Sequence, residues 1–414
     1  MRWAIPYICL ILWVLLSFPE MVFAQEDDEL RIDPNVQEYL ENIVENTDAE
    51  FDFNAIYDRL ARYQKRPLNL NKASAEELGE LGLLNSRQID ALVQYRGKVG
   101  NLIAIYELQA VPYFDLASIE RILPYVRVSG QVERFNVPFY RMLYEGDNQL
   151  VIRASRFLEE KRGFSPREDS TDTRYEGDEY RYFARFKHTF ENRHSWGITA
   201  EKDAGEAFFG GSNPQGFDFY SAHLYYRNLG KRVKAIALGD YEIRFGQGLL
   251  LSGGFSTGKS SFVTNIKRTG RKVRPYTSFN EVIFLRGGAA HFEFGDFNLV
   301  AFGSYRTRDA NITPLDTLEG FDQIPAFSSL QLTGLHRTPN EIADEGAINQ
   351  LTTGASLEWK TRQSHIAANF VYTEFDAAFN RNPQPFNQFQ FNSGSLVGSS
   401  LDYSFLWRNI NFFG

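Results

Sequence analysis

Two catalytic signatures coincide in one glycine- and serine-rich loop, GGFSTGKS at 253–260. Gly253, Gly258, Lys259 and Ser260 match the phosphate-cradling Walker A pattern, and Gly254, Ser256 and Gly258 match the nucleophile-elbow pattern. Both chemistries need a strand, this loop and then a helix in a parallel α/β sheet, so that backbone N–H groups converge at a helix N-terminus. Here VTNIKRTGRKVRPY follows, a poor helix former, and no apolar strand ending in a magnesium-binding aspartate comes after it. The loop therefore points to neither a nucleotide site nor a serine hydrolase. No catalytic residue, cofactor or bound nucleotide is expected, and the chain reads as a non-enzyme.

The same loop holds the densest positive cluster in the chain: Lys259, Lys267, Arg268, Arg271, Lys272 and Arg274. Such a cluster can contact an anion, for example a lipid phosphate, a polyanionic substrate or DNA; the plainer reading is a solvated loop or a pore wall. The six histidines (His188, His194, His223, His291, His336, His365) show no metal-ligand spacing, so no metal site is expected. Paired carboxylates are common, but none is singled out by its setting.

The elements that must carry these residues fall into distinct stretches. Residues 1–24 have Arg2, an apolar run from Ile5 to Phe18 and small residues before Gln25, as in a secretory signal. The run is shorter than the ~20 residues of a spanning helix. The chain's one cysteine, Cys9, lies inside it, which excludes disulfides and thiolate chemistry in a processed chain. Residues 25–66 carry apolar positions at helical spacing (Val36, Tyr39, Leu40, Ile43, then Phe53, Ile56, Tyr57, Leu60), with Asp33 before Pro34 as a helix start. Between Gln25 and Gly130 acidic residues outnumber basic ones nineteen to eleven, and the whole chain is at -8, which does not advertise a nucleic-acid binder.

Residues 67–128 carry helix signals in two pairs. Ser74 with Glu77 forms a capping box for a helix to about Leu81. Ser86 is the expected cap of a longer helix through Arg96, with Gly97 and Gly100 as stops, and further turns fall at Ile103–Leu108 and Leu116–Leu123 before Pro124. LNLNKASAEEL, IDALVQYR and the spacing to IERILPYV resemble a paired helix-hairpin-helix domain of the ComEA type. That resemblance implies DNA contact through glycine–apolar–glycine hairpins. The matching positions are Leu83, Leu84 and Asn85, then Tyr113, Phe114 and Asp115. Asn85 tolerates a left-handed backbone, so the first turn is expected to keep its shape. Asp115 puts a negative charge where a phosphate would approach. Asn85, Ser86 and Arg87 are the remaining candidates for nucleic-acid contact, and docking to a periplasmic protein partner is the favoured use of the domain.

From 131 to 414 the period becomes two. Examples are Tyr182–Phe190, Val233–Asp240, Phe297–Arg306, Leu351–Lys360 and Ser364–Glu374, where Ile366, Ala368, Phe370 and Tyr372 share one face. Each is near the ~9–11 residues of a membrane-spanning strand. Short turns (NLGKR, KTRQS) alternate with long loops (Glu159–Glu179, Gly253–Asn280, Thr307–Asn349), and the aromatic content of 15% suits interfacial girdles. The expected fold is thus α+β multidomain: an N-terminal all-α helix-hairpin-helix domain, then an antiparallel outer-membrane-type β-barrel of ten to twelve strands. FLWRNINFFG looks like an unfinished hairpin, so the expectation is a barrel incomplete at the C-terminus or a smaller one. GDYEIRFGQGLLLSGGFSTGKS and TGLHRTPNEIADEGAI are similar to Bacteroidetes outer-membrane proteins that join a periplasmic helix-hairpin-helix domain to a barrel. The implied partners are outer-membrane lipid and a periplasmic protein, with a transport or scaffold role; a competence-like DNA-uptake role is the alternative.

Overall fold

The computed structural model describes residues 53–129, 139–166, 173–191, 193–253, 267–268, 270–278, 280–313, 326–361, 364–379, 385–386, 391–407 and 410–414. The leader, the helix start at Asp33 and Lys259 lie outside them.

Helix α1 (Phe53–Lys65) leads into β1 (Leu68–Asn69), α2 (Ala75–Glu80), α3 (Ser86–Val99), a 3-10 turn (Ile105–Ala110), α4 (Leu116–Ile122) and β2 (Val126–Arg127). β1 and β2 pair in parallel and tie the two ends of this helical domain together. The Ser74–Glu77 capping box is present in both directions, with Ser74 N–H donating to Glu77 at 2.9 Å. Caps of this kind stabilise a helix by about 1 kcal/mol. Leu60, Leu70, Leu78, Leu83, Ile89, Leu92, Leu108 and Ile122 meet in one buried core, which explains why such short helices hold.

After α5 (Phe139–Tyr144) the chain is almost entirely strand: β3 (Asp147–Ser155), β4 (Arg181–Phe190), β5 (His194–Lys202), β6 (Phe219–Leu229), β7 (Val233–Ile243), β8 (Val273–Pro275), β9 (Leu285–Phe294) and β10 (Phe297–Arg308). A second run follows: β11 (Ala310–Thr313), β12 (Ala326–Leu330), α6 (Pro339–Asp344), β13 (Ile348–Lys360), β14 (Ser364–Phe375), β15 (Ala378–Phe379), β16 (Ser395–Trp407) and β17 (Ile410–Phe413). Twelve strands form one antiparallel sheet in the order β17-β16-β14-β13-β10-β9-β7-β6-β5-β4-β3, with β8 against β7. Neighbours in sequence are neighbours in space, as in an up-and-down meander. Among the described residues the sheet is not closed: β3 and β17 do not pair. The stretch expected as one loop from Thr307 to Asn349 instead holds α6 and two strands of a small sheet, β11-β12-β15.

The two faces of the large sheet are inverted relative to a soluble protein. On β14, Ala367, Asn369 and Val371 are buried while Ile366, Ala368 and Phe370 are exposed; on β16, Asp402 and Ser404 are buried while Leu401, Tyr403 and Phe405 are exposed. On β10, Asn298 and Ser304 face in, and Phe297 and Tyr305 face out. On these three strands polar side chains make up much of the inner face, beside Val300, Phe302 and Val371, and apolar ones most of the outer.

The described residues at and beside the Gly253–Asn280 loop, 243–253 and 270–278, turn inward. β7 leaves the sheet at its end, where Arg244 bridges Ser252 and Gly253 N–H donates to Ile243 O at 3.0 Å in an antiparallel hairpin; Gly254, Ser256, Gly258 and Ser260 of the two catalytic patterns lie outside the described residues. Ile243, Phe245 and Val273 then pack on Val300 and Phe302 of β10, Val371 of β14 and Tyr225 of β6. The backbone at Gly246 (φ +48°) runs so close to β16 that a Cβ there would fall 2.5 Å from Asp402 Cγ. Arg185 of β4 reaches Thr277 O at 3.3 Å. The described residues of 243–277 touch β4, β10, β14 and β16, which requires the sheet to curl around them, and they occupy part of the interior at this level, beside a cavity of about 220 Å³.

Candidate functional site

The first candidate is the pair of hairpin tips. Asn85, not Ser86, caps α3: Asn85 Oδ1 accepts from Gln88 N–H at 2.9 Å and Gln88 Oε1 accepts from Asn85 N–H at 3.0 Å. Asn85 has φ -80°, so the left-handed turn expected of it falls instead on Gly82 at φ +73°. Ser86 is buried and Arg87 is exposed. In the second hairpin Tyr113 takes φ +69°, where a residue with a Cβ is strained by about 1–2 kcal/mol. Gln88 Nε2 joins the hairpins, donating to Tyr113 O at 3.1 Å and to Ser118 Oγ at 2.9 Å. Asp115 caps α4 by accepting from Ser118 N–H at 2.9 Å. The Ser118 hydroxyl and N–H hold its carboxyl below the usual carboxylate range, so the tip of this hairpin carries a fixed negative charge.

The second candidate is the joint between the helical domain and the short-turn end of the sheet. Four of the six clustered cations are matched to carboxylates of the chain: Lys267 to Asp90 at 3.1 Å, Arg271 to Glu80 at 2.8 Å, Lys272 to Glu358 at 2.7 Å and Arg274 to Glu242 at 3.5 Å. Arg268 N–H donates to Gln247 Oε1 at 2.9 Å. Any external anion at these residues would have to compete with those carboxylates. A fifth pair, Arg227 to Glu77 at 2.9 Å, and the bond from Asn411 Nδ2 to Asp90 at 2.9 Å complete the seat. Burial alone would raise Glu77, but Arg227 and Arg271 outweigh it and hold the carboxyl below its ordinary range. The sequence reading missed this seat, although the acidic AEELGE and the basic RTGRKVR are complementary in charge.

The third lies at the opposite, long-loop end. His336 Nδ1 sits 2.7 Å from Asp218 Oδ2 and Nε2 is 3.4 Å from Asp309 Oδ2, while its N–H donates to Glu206 Oε1 at 3.0 Å. Among the described residues, Glu206, Asp218 and His336 present ligand atoms within 4.8 Å of one another and could hold a metal ion. Scattered over 130 positions, they gave no spacing signal. Burial works against the His336 charge, but its two aspartates prevail and raise it to about 11. Burial, helped by Asp218, raises Glu206 to about 8, and burial with Asp218 and Glu206 raises Glu281 to about 10.

Raised folded pKa values mean that the folded loops hold extra protons. The stability that Glu206 and Glu281 contribute is present below about 4.5 and is lost as pH rises through about 8 and about 10; that of His336 is lost through about 11. All three signs agree. Amide exchange in 203–218 and 334–345 is expected to speed up between pH 5 and pH 9 by more than the intrinsic base-catalysed rise; equal protection factors at both would refute the cluster's role.

Residues 64–127 match the helix-hairpin-helix motif family. This is the span of the helical domain, α1's end to β2. No curated protein sequence matches the chain. Among solved structures the chain is similar to OmpTdeltaL8, a loop L8 deletion mutant of OmpT, an outer membrane protein of Vibrio cholerae, at 11% identity over 65% of this chain and 80% of that one. At a TM-score of 0.21, that likeness adds nothing to what the sheet's own faces say. The chain is thus a small helix-hairpin-helix region followed by a large antiparallel sheet.

Proposed function

We propose that this chain is a non-enzymatic outer-membrane β-barrel protein whose helix-hairpin-helix region sits at the periplasmic end and docks a protein partner, in a transport or scaffold role. The inverted sheet carries the reading. A sheet with Asn298, Glu358, Asn369 and Asp402 inside and Phe297, Leu357, Phe370 and Leu401 outside has its apolar face where lipid would be and its polar face where water or a plug would be. The helical region meets the strand ends at Arg227, Lys360 and Asn411, next to short turns, and barrels of this class keep short turns on the periplasmic side. No helix among the described residues is long and apolar enough to cross a membrane. The protein is expected to fractionate with outer membranes and to migrate differently on gels before and after boiling. Recovery in the soluble periplasmic fraction would sink the assignment.

A DNA-binding role is the second reading, favoured by the helix-hairpin-helix match and by the exposure of Arg87 and Tyr113 at the tips. Contact with phosphates must weaken as salt rises, by counterion release. With Asp115 in one hairpin and a single Arg87 in the other, the detergent-solubilised chain is expected to bind duplex DNA weakly at low salt and to lose it on Arg87→Ala. Absence of binding at about 50 mM salt ends this reading.

A further inference from the structure

The helical region touches both margins of the large sheet. Arg66, just after α1, lies 3.4 Å from Asp147 at the start of β3, and Asp90 of α3 accepts from Asn411 Nδ2 of β17 at 2.9 Å. Between those margins Glu77 of α2 meets Arg227 at the end of β6, and Glu76 stands against Lys360 at the end of β13. A body that meets the first and last strands of a curled sheet, and two strands between them at the same end, lies across that end. We propose that the helical region is a releasable lid over the polar interior of the sheet, and that lifting it admits hydrophilic solutes from the short-turn end. The inference rests on the barrel reading and deepens it, since it gives a transport role its gate.

The lid has space beneath it. The cavity of about 220 Å³ is bounded on one side by Glu76, Asp90 and Gln94 of the helical region, and on the other by Ser356, Ala367 and Asp402 of the sheet. Ser356 and Ala367 are 2% and 3% exposed, so the strands' inner face is shut off here. A lining of hydroxyls, amides and carboxylates suits solutes that carry water with them.

The make of the joint decides whether it can open. Among the described residues, the buried apolar cluster of the helical region spans Leu60 to Val126, that of the sheet spans Tyr225 to Val371, and the two share no residue. Charge holds the parts together: Glu77, Glu80 and Asp90 meet Arg227, Arg271 and Lys267 at 2.9, 2.8 and 3.1 Å. Burial would raise the Glu76 carboxyl, but Lys360 and Lys272 hold it below its ordinary range. Charged groups that part regain water, whereas an apolar joint would have to expose its surface to it. Polar joints of this kind are the ones across which domains move.

The test uses the full chain folded in detergent, with Cys9→Ser removing its one cysteine so that single introduced thiols report alone. Ser356→Cys and Ala367→Cys lie under the lid; Ser304→Cys, 3% exposed toward the long-loop end of β10, is the control. Labelling by a charged methanethiosulfonate follows the fraction of molecules that are open. Asp90→Lys is expected to speed it at both reporters by about tenfold or more, and adding Lys267→Glu to restore the slow rate. Glu80→Lys, acting at a different ion pair, should have the same effect, while Ser304→Cys stays slow throughout. Reporter rates unchanged in both Asp90→Lys and Glu80→Lys, or a rise shared by Ser304→Cys, overturns the lid. A parent chain with no heat-modifiable form ends the barrel reading and the lid with it; a heat-modifiable chain with unchanged labelling ends the lid alone.

Discussion

Phe370→Arg is expected to remove most of the folded protein from the outer membrane. Phe370 stands mid-strand on β14, opposite Ala355 of β13 and Ser399 of β16, and is 48% exposed on the outer face. If that face meets hydrocarbon, an arginine near the midplane costs about 2–4 kcal/mol. If it meets water, a charged residue at an exposed strand position changes stability by only about 0.5 kcal/mol in either direction. The two environments therefore predict opposite outcomes for one substitution. The measurement is the fraction of heat-modifiable protein in outer membranes, with Phe370→Leu as the control that preserves apolar character. A Phe370→Arg protein that folds to the level of the parent would remove the lipid-facing interpretation of the whole outer surface.

Glu80→Lys should release the helical region from the sheet. Glu80 closes α2, its carboxylate meets Arg271 at 2.8 Å, and its carbonyl accepts from Arg59 at 2.9 Å. Both partners of the ion pair are largely buried, at 12% and 10% side-chain exposure. Breaking a buried pair by removing one partner typically costs about 3–5 kcal/mol, and a lysine adds repulsion from Arg271 and Arg59. Limited proteolysis should then cut between the two parts far faster than in the parent. The charge swap Glu80→Lys with Arg271→Glu should recover much of the protection, which a merely misfolded variant would not. Acid acts in the same direction: Glu77 is depressed by Arg227, so its share of the docking energy is present above about 4.5 and is lost as pH falls below that.

Much of this architecture was legible because its signals are local. Ser74 and Glu77 are three residues apart, and the alternation from Ile366 to Tyr372 needs no knowledge of the rest of the chain to announce a two-faced strand. On β14 and β16 the alternation also sorts apolar from polar positions without knowledge of the neighbours. The inward course of 243–253 and 270–277 was not legible, because its partners Arg185, Phe302, Val371 and Asp402 are set by register rather than by neighbouring residues. Asn85 and Ser86 are both good caps, and only the reciprocal bond with Gln88 decides between them. His336 carries no sign in the sequence that it will meet Asp218 and Glu206. Periodicity says what an element is; it does not say what lies across from it.

The seat of the helical region also imposes a timetable. Leu78, Leu83, Ile89 and Leu108 lie within about thirty positions of one another, and contacts of such low sequence separation form early. The contacts that hold the region in place span far more chain, 150 positions from Glu77 to Arg227 and 321 from Asp90 to Asn411. Closing such long loops is slow, and the last needs β17 already paired to β16. An acidic helix face is therefore born unpartnered and stays so until the sheet behind it is laid down. Docking thus follows the pairing of β17 with β16, and protection of Asp90 is a clock that reads that step.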